Sequence, residues 1–296
     1  MSKENIYAAM RQSEMCNWVG GGDPEVIGVA NFTCIIENLP LQHSDAVLDF
    51  GCGIGRTSVL LAEFLNQGGQ LVGSDIVPGQ IRFCREQFAS AFPDVTFYCV
   101  RSSNPQYDNL TAATADATPV IGEDEFFLQH RQLFDVVVGF SVFTHFNPPM
   151  AGHFLKQLRD ATKPGGHLLL TWFLDHPDNP ANFSGFPAKL GAGEEFSDPS
   201  GNLFFGLFSP VLVSELAARA DLLVERISYG SWRGGQWPLM PLKGQHAQDL
   251  VILRRPLPTE FDANIYLKIH QDVAAAEVDP LQHYLTFGCR EGRRLR

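Results

Sequence analysis

Apolar residues along the chain alternate between two rhythms. Short, nearly continuous apolar runs at Val47–Phe50, Gln70–Ser74, Val95–Val100, Phe134–Phe140 and His167–Phe173 read as strands. The run from Phe134 has the unbroken hydrophobicity of a central strand covered on both faces. Between the runs the spacing becomes helical. Arg56–Leu65 reads as one helix. A second carries Ile81, Cys84 and Phe88 on one face, and a third, from about Pro149, carries Phe154, Leu155 and Leu158. The third is expected to stop at Pro164-Gly165-Gly166. Ser209-Pro210 has the form of an N-cap followed by proline at the first helical position, for a helix reaching about Ala220. Leu222–Ser228 and Asp249–Leu253 supply two last strands. Strands alternating with helices predict a doubly wound, mostly parallel α/β sheet.

Two segments interrupt the alternation. Arg101–Leu133 and Asp175–Leu207 are long for simple connections. Their aromatic residues, among them Phe126, Phe127, Phe183, Phe186, Phe196, Phe204, Phe205 and Phe208, suggest lids that bury surface over a substrate.

Ala46–Arg56, AVLDFGCGIGR, carries the most chemistry. An apolar strand runs into Asp49, then Gly51, Gly53 and Gly55, then a helix. Glycines at such a turn let backbone N–H groups approach a ligand closely. Arg56 stands where a dinucleotide fingerprint needs its third glycine. A carboxylate at Asp49 favours a cationic ligand over a pyrophosphate.

This stretch resembles the first motif of class I S-adenosylmethionine-dependent methyltransferases. Three more segments are similar to that family in the same order: LVGSDIVPGQIRFCRE from Leu71, FDVVVGFSVFTHF from Phe134, and LRDATKPGGHLLLTWF from Leu158. The resemblance covers roughly Tyr7 to Arg255. It implies a Rossmann-like, seven-stranded sheet whose last strand runs antiparallel. It implies S-adenosylmethionine as cofactor, with Asp49, Gly51, Cys52, Gly53 and Gly55 at the methionine half. It places Asp75, 20 residues after Gly55, on the ribose hydroxyls beside Ile76. The family's acid after the third strand is missing: Arg101, Ser102 and Ser103 stand there. Ser102, a backbone group or Asp116 is left to meet adenine. Ser141 and the residues after it face the methyl group in this fold.

His145 in that loop is the candidate general base, because imidazole titrates near neutral pH. It serves equally as a loop-ordering histidine. Asp175 and His176 are second candidates. No metal is expected, since Asp175, His176 and Asp178 in a polar loop make a weak ligand set.

Composition adds limits. The formal charge of −11 argues against broad nucleic-acid binding. The N-terminus lacks the apolar core of a signal peptide, and no run reaches the ~18 apolar residues of a membrane span. Six scattered cysteines without a C-x-x-C pair read as reduced thiols in a cytoplasmic protein.

Arg254-Arg255-Pro256-Leu257-Pro258 reads as a stiff linker. It divides residues 1–255, the methyltransferase-like domain, from residues 256–296. The latter segment resembles a short helical module at the ends of bacterial glycosyltransferases and other surface-polysaccharide proteins. Asp279-Pro280 marks a helix start and Gly288 a stop. The module is either an accessory for location or for a polysaccharide-synthesis partner, or a lid using Tyr266, His283 or Tyr284.

The functional expectation is methylation of a small molecule or glycan, at a hydroxyl. A non-catalytic cofactor-binding or interaction module on the same fold is the alternative. A nicotinamide enzyme is disfavoured by Asp49 and Arg56.

Overall fold

The structure is a computed structural model. It describes residues 2–19, 22–102, 118–177, 179, 188–189, 206–234, 246–258, 261–289 and 291–295.

The glycine-bearing strand is β1, Ala46–Phe50. It pairs in parallel with β2, Gln70–Asp75, and with β5, Phe134–Gly139. The sheet continues through β3, Thr96–Arg101, and β4, Val120–Gly122, on one side. On the other side come β6, Thr162–Leu174, then β10, Asp249–Arg254, then β9, Leu223–Ser228. The order is β4-β3-β2-β1-β5-β6-β10-β9. β10 runs antiparallel to both neighbours, as the resemblance implied.

The seven-stranded expectation is too small. Among the described residues the path holds eight strands, and β7, Ala188–Lys189, and β8, Gly206–Phe208, join through β6. The additions come from the two long segments. In the first, β4 leads into helix Glu123–Gln129, whose Phe126 and Phe127 are buried in the main core. They pack on each other at 5.2 Å and do not form a lid. Phe208 of β8 packs edge-to-face on Trp172 at 4.9 Å, also in the core. Phe183, Phe186, Phe196, Phe204 and Phe205 lie outside the described residues.

Helices cover both faces. In chain order they are α1, Lys3–Gln12; α2, Pro24–Asn38; α3, Ser58–Phe64; α4, Pro78–Phe88; α5, Glu123–Gln129; α6, Pro148–Ala161; and α7, Pro210–Arg219. On α4, Ile81, Cys84 and Phe88 are all buried, as their spacing predicted. Caps follow the sequence signals. Asn147 Oδ1 accepts from Met150 N at 2.9 Å, and Ser209 Oγ from Leu212 N at 3.1 Å.

Helix α6 ends at Ala161, earlier than Pro164-Gly165-Gly166. Those residues lie at the start of β6, where the β5–β6 register shifts between Phe134 and Val136. Gly165 takes φ 82°, a conformation open to glycine at little cost. The motif therefore makes a bulge in the strand and does not cap the helix.

After β10 the chain makes α8, Ala263–Ile269, α9, Gln271–Ala275, and α10, Pro280–His283, followed by a π-type turn at Tyr284–Gly288. Tyr266, Val273, Tyr284 and Cys289 form their own small cluster. This unit meets the sheet at the amino end of β6. Arg255 N donates to Gly166 O at 2.9 Å, Gly165 N donates to Arg255 O at 2.8 Å, and the side chains of Leu257 and Leu285 close over Gly165. Arg255 is buried, and its Nη1 reaches Thr162 O at 2.6 Å and Arg159 O at 3.2 Å, capping the end of α6. Nine residues of extended β6, about 30 Å, separate Gly165 from Leu174 at the carboxyl edge. Tyr266, His283 and Tyr284 are thus far from the glycine loop and make no lid over it.

Candidate functional site

In an open α/β sheet, ligands sit at the carboxyl ends of strands where the order reverses. Here that point lies between β1 and β5. The loop after β1 and the loop after β5 form its two walls.

The first wall is the glycine loop. Gly51, Gly53 and Gly55 have φ 72°, 58° and 86°, all left-handed. The loop is tied to β2: Gly51 N and Cys52 N both donate to Ser74 O, at 2.8 and 3.0 Å. Gly53 N donates to Asp75 Oδ2 at 2.9 Å, and Val77 N to Asp75 Oδ1 at 2.9 Å. Burial raises the Asp75 pKa, against the lowering effect of its backbone hydrogen bonds. A third backbone hydrogen bond, from Ile76, also reaches the Asp75 carboxyl.

Asp49 is 3% exposed, and its Oδ2 accepts from Ser58 Oγ at 2.6 Å. Burial pushes its pKa up to about 6. The Ser58 hydrogen bond opposes that rise and the neighbouring Asp75 adds to it. Burial also lowers the Arg56 pKa, to about 10, with Cys16 and Asp49 acting against it. Cys52 and Ile54 are buried beside them.

Helices α1 and α2 back this loop, an arrangement not read from the sequence. Tyr7 Oη donates to Arg56 O at 3.0 Å. Gly28 of α2 lies so close that a Cβ there would stand 2.4 Å from Arg56 O and 2.6 Å from Tyr7 Oη.

The second wall follows β5. Ser141 has φ 58° although it is not glycine. Its N donates to Thr171 Oγ1 at 2.7 Å and its Oγ to Gln248 Oε1 at 3.1 Å. Val142 closes on the first wall: a Cβ on Gly51 would come within 2.3 Å of Val142 Cγ2. His145 closes a short 3-10 turn, Phe143–His145, with its N donating to Val142 O at 3.0 Å. It is only 9% exposed.

The floor beyond β6 is organised by Asp249, which the sequence did not single out. This fully buried carboxylate accepts from Leu174 N at 2.6 Å, Gly230 N at 2.6 Å and Trp232 Nε1 at 3.0 Å. It thereby ties the ends of β6 and β9 to the start of β10 between them. His176, just after β6, and Tyr229, just after β9, lie with ring centroids 4.5 Å apart.

The expected residues thus distribute as follows. Asp49, Gly51, Cys52, Gly53, Gly55 and Asp75 converge at the first wall. Ile76 follows Asp75 directly, with its carbonyl taking the Cys99 thiol at 3.8 Å. Ser141 lies on the second wall, with His145 buried behind it. Asp175 and His176 stand at the edge of the floor. Ser102 is half-buried just past β3. Ser103, Asp116 and Asp178 lie outside the described residues. All six cysteines are buried and free of disulfides. Among the described residues no helix is long and apolar enough to cross a membrane.

A cavity of about 320 Å³ lies elsewhere, beside the amino-terminal half of β3, lined by Arg85, Phe88, Pro93, Val95, Phe97 and Tyr98. It is at the wrong end of the strand for this site. Arg85 fills part of it, donating twice to Phe97 O at 2.9 and 2.8 Å.

Residues 48–168 match a family described as "Methyltransferase domain". Among solved structures, a protein from Pyrococcus horikoshii OT3 is 17% identical, with 80% of this chain and 93% of that one covered at a TM-score of 0.51. An S-adenosylmethionine-dependent methyltransferase from Methanosarcina mazei is 19% identical, with coverages of 74% and 95% and a TM-score of 0.47. The 1,6-didemethyltoxoflavin-N1-methyltransferase of Burkholderia thailandensis is 16% identical, with coverages of 86% and 87% and a TM-score of 0.48. Strand order, the reversed β10 and the glycine loop agree with this family match: the chain has the class I S-adenosylmethionine-dependent methyltransferase fold.

Proposed function

We propose that the protein is an S-adenosylmethionine-dependent methyltransferase acting on a small molecule or glycan, at a hydroxyl. The observation that carries the reading is the first wall. A buried carboxyl group, Asp49, and a half-buried one, Asp75, flank a left-handed glycine loop at the switch point of the sheet. That donor set fits a ligand with a cationic amino acid end and a diol. It does not fit a pyrophosphate, which two carboxylates would repel.

When bound, the cofactor supplies an electrophilic methyl group on a sulfonium. The chain's work is to bind, align and exclude water. Asp49 attracts the ammonium end, with Gly51, Cys52, Gly53 and Gly55 lining its approach. Asp75 takes the ribose hydroxyls, and Ile76 and Ser102 border the base. Ser141 faces the reacting end. His145 takes the proton of an acceptor hydroxyl, a role open to an imidazole. Residues 1–255 carry this machinery, and the helices of 256–296 serve location or a polysaccharide-synthesis partner.

Calorimetry tests the reading directly. The protein is expected to bind S-adenosylmethionine and S-adenosylhomocysteine, and not NAD. Binding of NAD without S-adenosylmethionine would end it. The burial of His145 keeps a second reading open, a non-catalytic module on the same fold. Cofactor binding with no turnover on any hydroxyl acceptor would favour that second reading.

A further inference from the structure

Ser141 pays for a left-handed backbone that only its surroundings can enforce. The enforcing bonds belong to a longer run. Ser141 Oγ donates to Gln248 Oε1 at 3.1 Å. Gln248 N donates to His246 Nδ1 at 3.0 Å. His246 Nε2 meets Asn31 Oδ1 at 3.0 Å. Asn31 Nδ2 donates to Thr57 Oγ1 at 2.9 Å. Thr57 directly follows Arg56 at the end of the glycine loop.

From Gln248 N to Thr57 every role in the run is fixed by chemistry. Gln248 N can only donate, so His246 Nδ1 accepts and the ring proton sits on Nε2. Nε2–H then donates to the Asn31 carbonyl, which leaves the Asn31 amide nitrogen to face Thr57. Burial lowers the His246 pKa to about 4, which keeps the ring neutral and this tautomer in place. Asn31, Thr57 and Gln248 are each 5–6% exposed. A broken link would therefore strand buried polar groups.

The run joins the two walls of the crevice by a path behind them. It crosses from the loop after β5 to the segment before β10, then to α2, then to the start of α3. We propose that His246 and Asn31 are positioning residues, which set the glycine loop and the Ser141 loop at one spacing for a bound cofactor. This rests on the function proposed above and extends it to two residues outside the crevice. Neither touches the ligand; both act through Ser141 and Thr57.

The test is titration of S-adenosylhomocysteine into the full chain by calorimetry, wild type first. Failure of the wild type to bind would overturn the proposed function itself, and this inference with it. Given wild-type binding, Asn31→Leu and His246→Leu are each expected to weaken affinity about tenfold. The double variant is expected to be no weaker than the worse single, because both cut one chain. His246→Gln, which keeps a donor for Asn31, is expected to stay within about threefold of wild type. Wild-type affinity in both folded single variants, or losses that multiply in the double, would overturn the inference. Thr57→Val keeps shape and removes only the far acceptor, so it decides the matter if the leucine variants do not fold. It is expected to weaken binding and to speed amide exchange over residues 141–145. No change in either would also overturn it.

Discussion

The Ser58 hydroxyl donates to the Asp49 carboxyl at 2.6 Å inside the floor of the glycine loop, and this single bond does not offset the burial that raises the Asp49 pKa to about 6. A cationic ligand beside Asp49 would favour its ionised form. Binding of S-adenosylmethionine below pH 6 is therefore expected to release a proton, and affinity is expected to rise as pH climbs through about 6. Calorimetry in two buffers of different ionisation enthalpy measures that proton. Asp49→Asn is expected to bind more weakly and without the pH dependence.

The same group acts on stability with a definite sign. Its folded pKa lies above its unfolded one, so its contribution is full below the unfolded value and is lost as pH rises through about 6. Burial works the other way on His246, whose folded pKa falls to about 4. Its contribution is full above the unfolded value near 6.5 and is lost as pH falls towards 4, up to about 3 kcal/mol. Between pH 4 and 6 the two slopes oppose each other. Chemical denaturation is expected to show His246→Gln losing the acid-side slope, which uncovers the Asp49 trend. Identical pH profiles for variant and wild type would contradict the assignment.

Gly28→Ala tests packing against propensity. An alanine in a helix interior normally gains about 1 kcal/mol over glycine. Here its Cβ would meet the Arg56 carbonyl at 2.4 Å, backbone that cannot swing aside. The variant is expected to lose about 1–3 kcal/mol in denaturant unfolding and to bind cofactor more weakly. A more stable variant would show that α2 can shift freely from the glycine loop.

Asp75→Ala is expected to weaken S-adenosylmethionine binding by about 1.5–3 kcal/mol, the scale of hydrogen bonds to a charged group. Part of that loss comes from Gly53 N, which Asp75 holds at 2.9 Å. Calorimetry on Asp75→Asn separates the two, because the amide oxygen can keep Gly53 while the charge is gone. Unchanged affinity in both variants would place the ribose elsewhere.

A chain ending at Arg255 keeps the buried guanidinium that caps α6 and loses Leu257 and Leu285 from over Gly165. Its melting temperature is expected to fall, while its S-adenosylhomocysteine affinity stays within about twofold of the full chain. A large loss of affinity in the folded truncation would mean that the final helices reach the crevice.

The parts of the fold legible in the sequence are those whose signal is local. AVLDFGCGIGR states its strand, its left-handed glycines and its acid within eleven residues, and Asp75 follows at the end of the next apolar run. β4 and α5 were hidden because Val120–Gln129 sits inside a segment too long to read as one connection. Phe126 and Phe127 have the composition of a lid and the position of a core. The Pro-Gly-Gly at 164–166 is a helix stop by local chemistry, yet the β5 register turns it into a bulge. The run from Ser141 to Thr57 spans residues 31 to 248 and leaves almost no local mark. Its one sequence signal is Asn31, a lone amide in the apolar stretch VIGVANFTCII of α2.

The reversal of β10 has an effect on how the molecule faces its surroundings. Every parallel strand arrives at the reactive edge, whereas β10 departs from it, starting at Asp249 and carrying the chain to the amino end of β6. The final helices are therefore mounted at the opposite pole. A copy tethered through those helices, to a bead, a scaffold or another macromolecule, would point its crevice away from the anchor and leave both of its walls open to the medium.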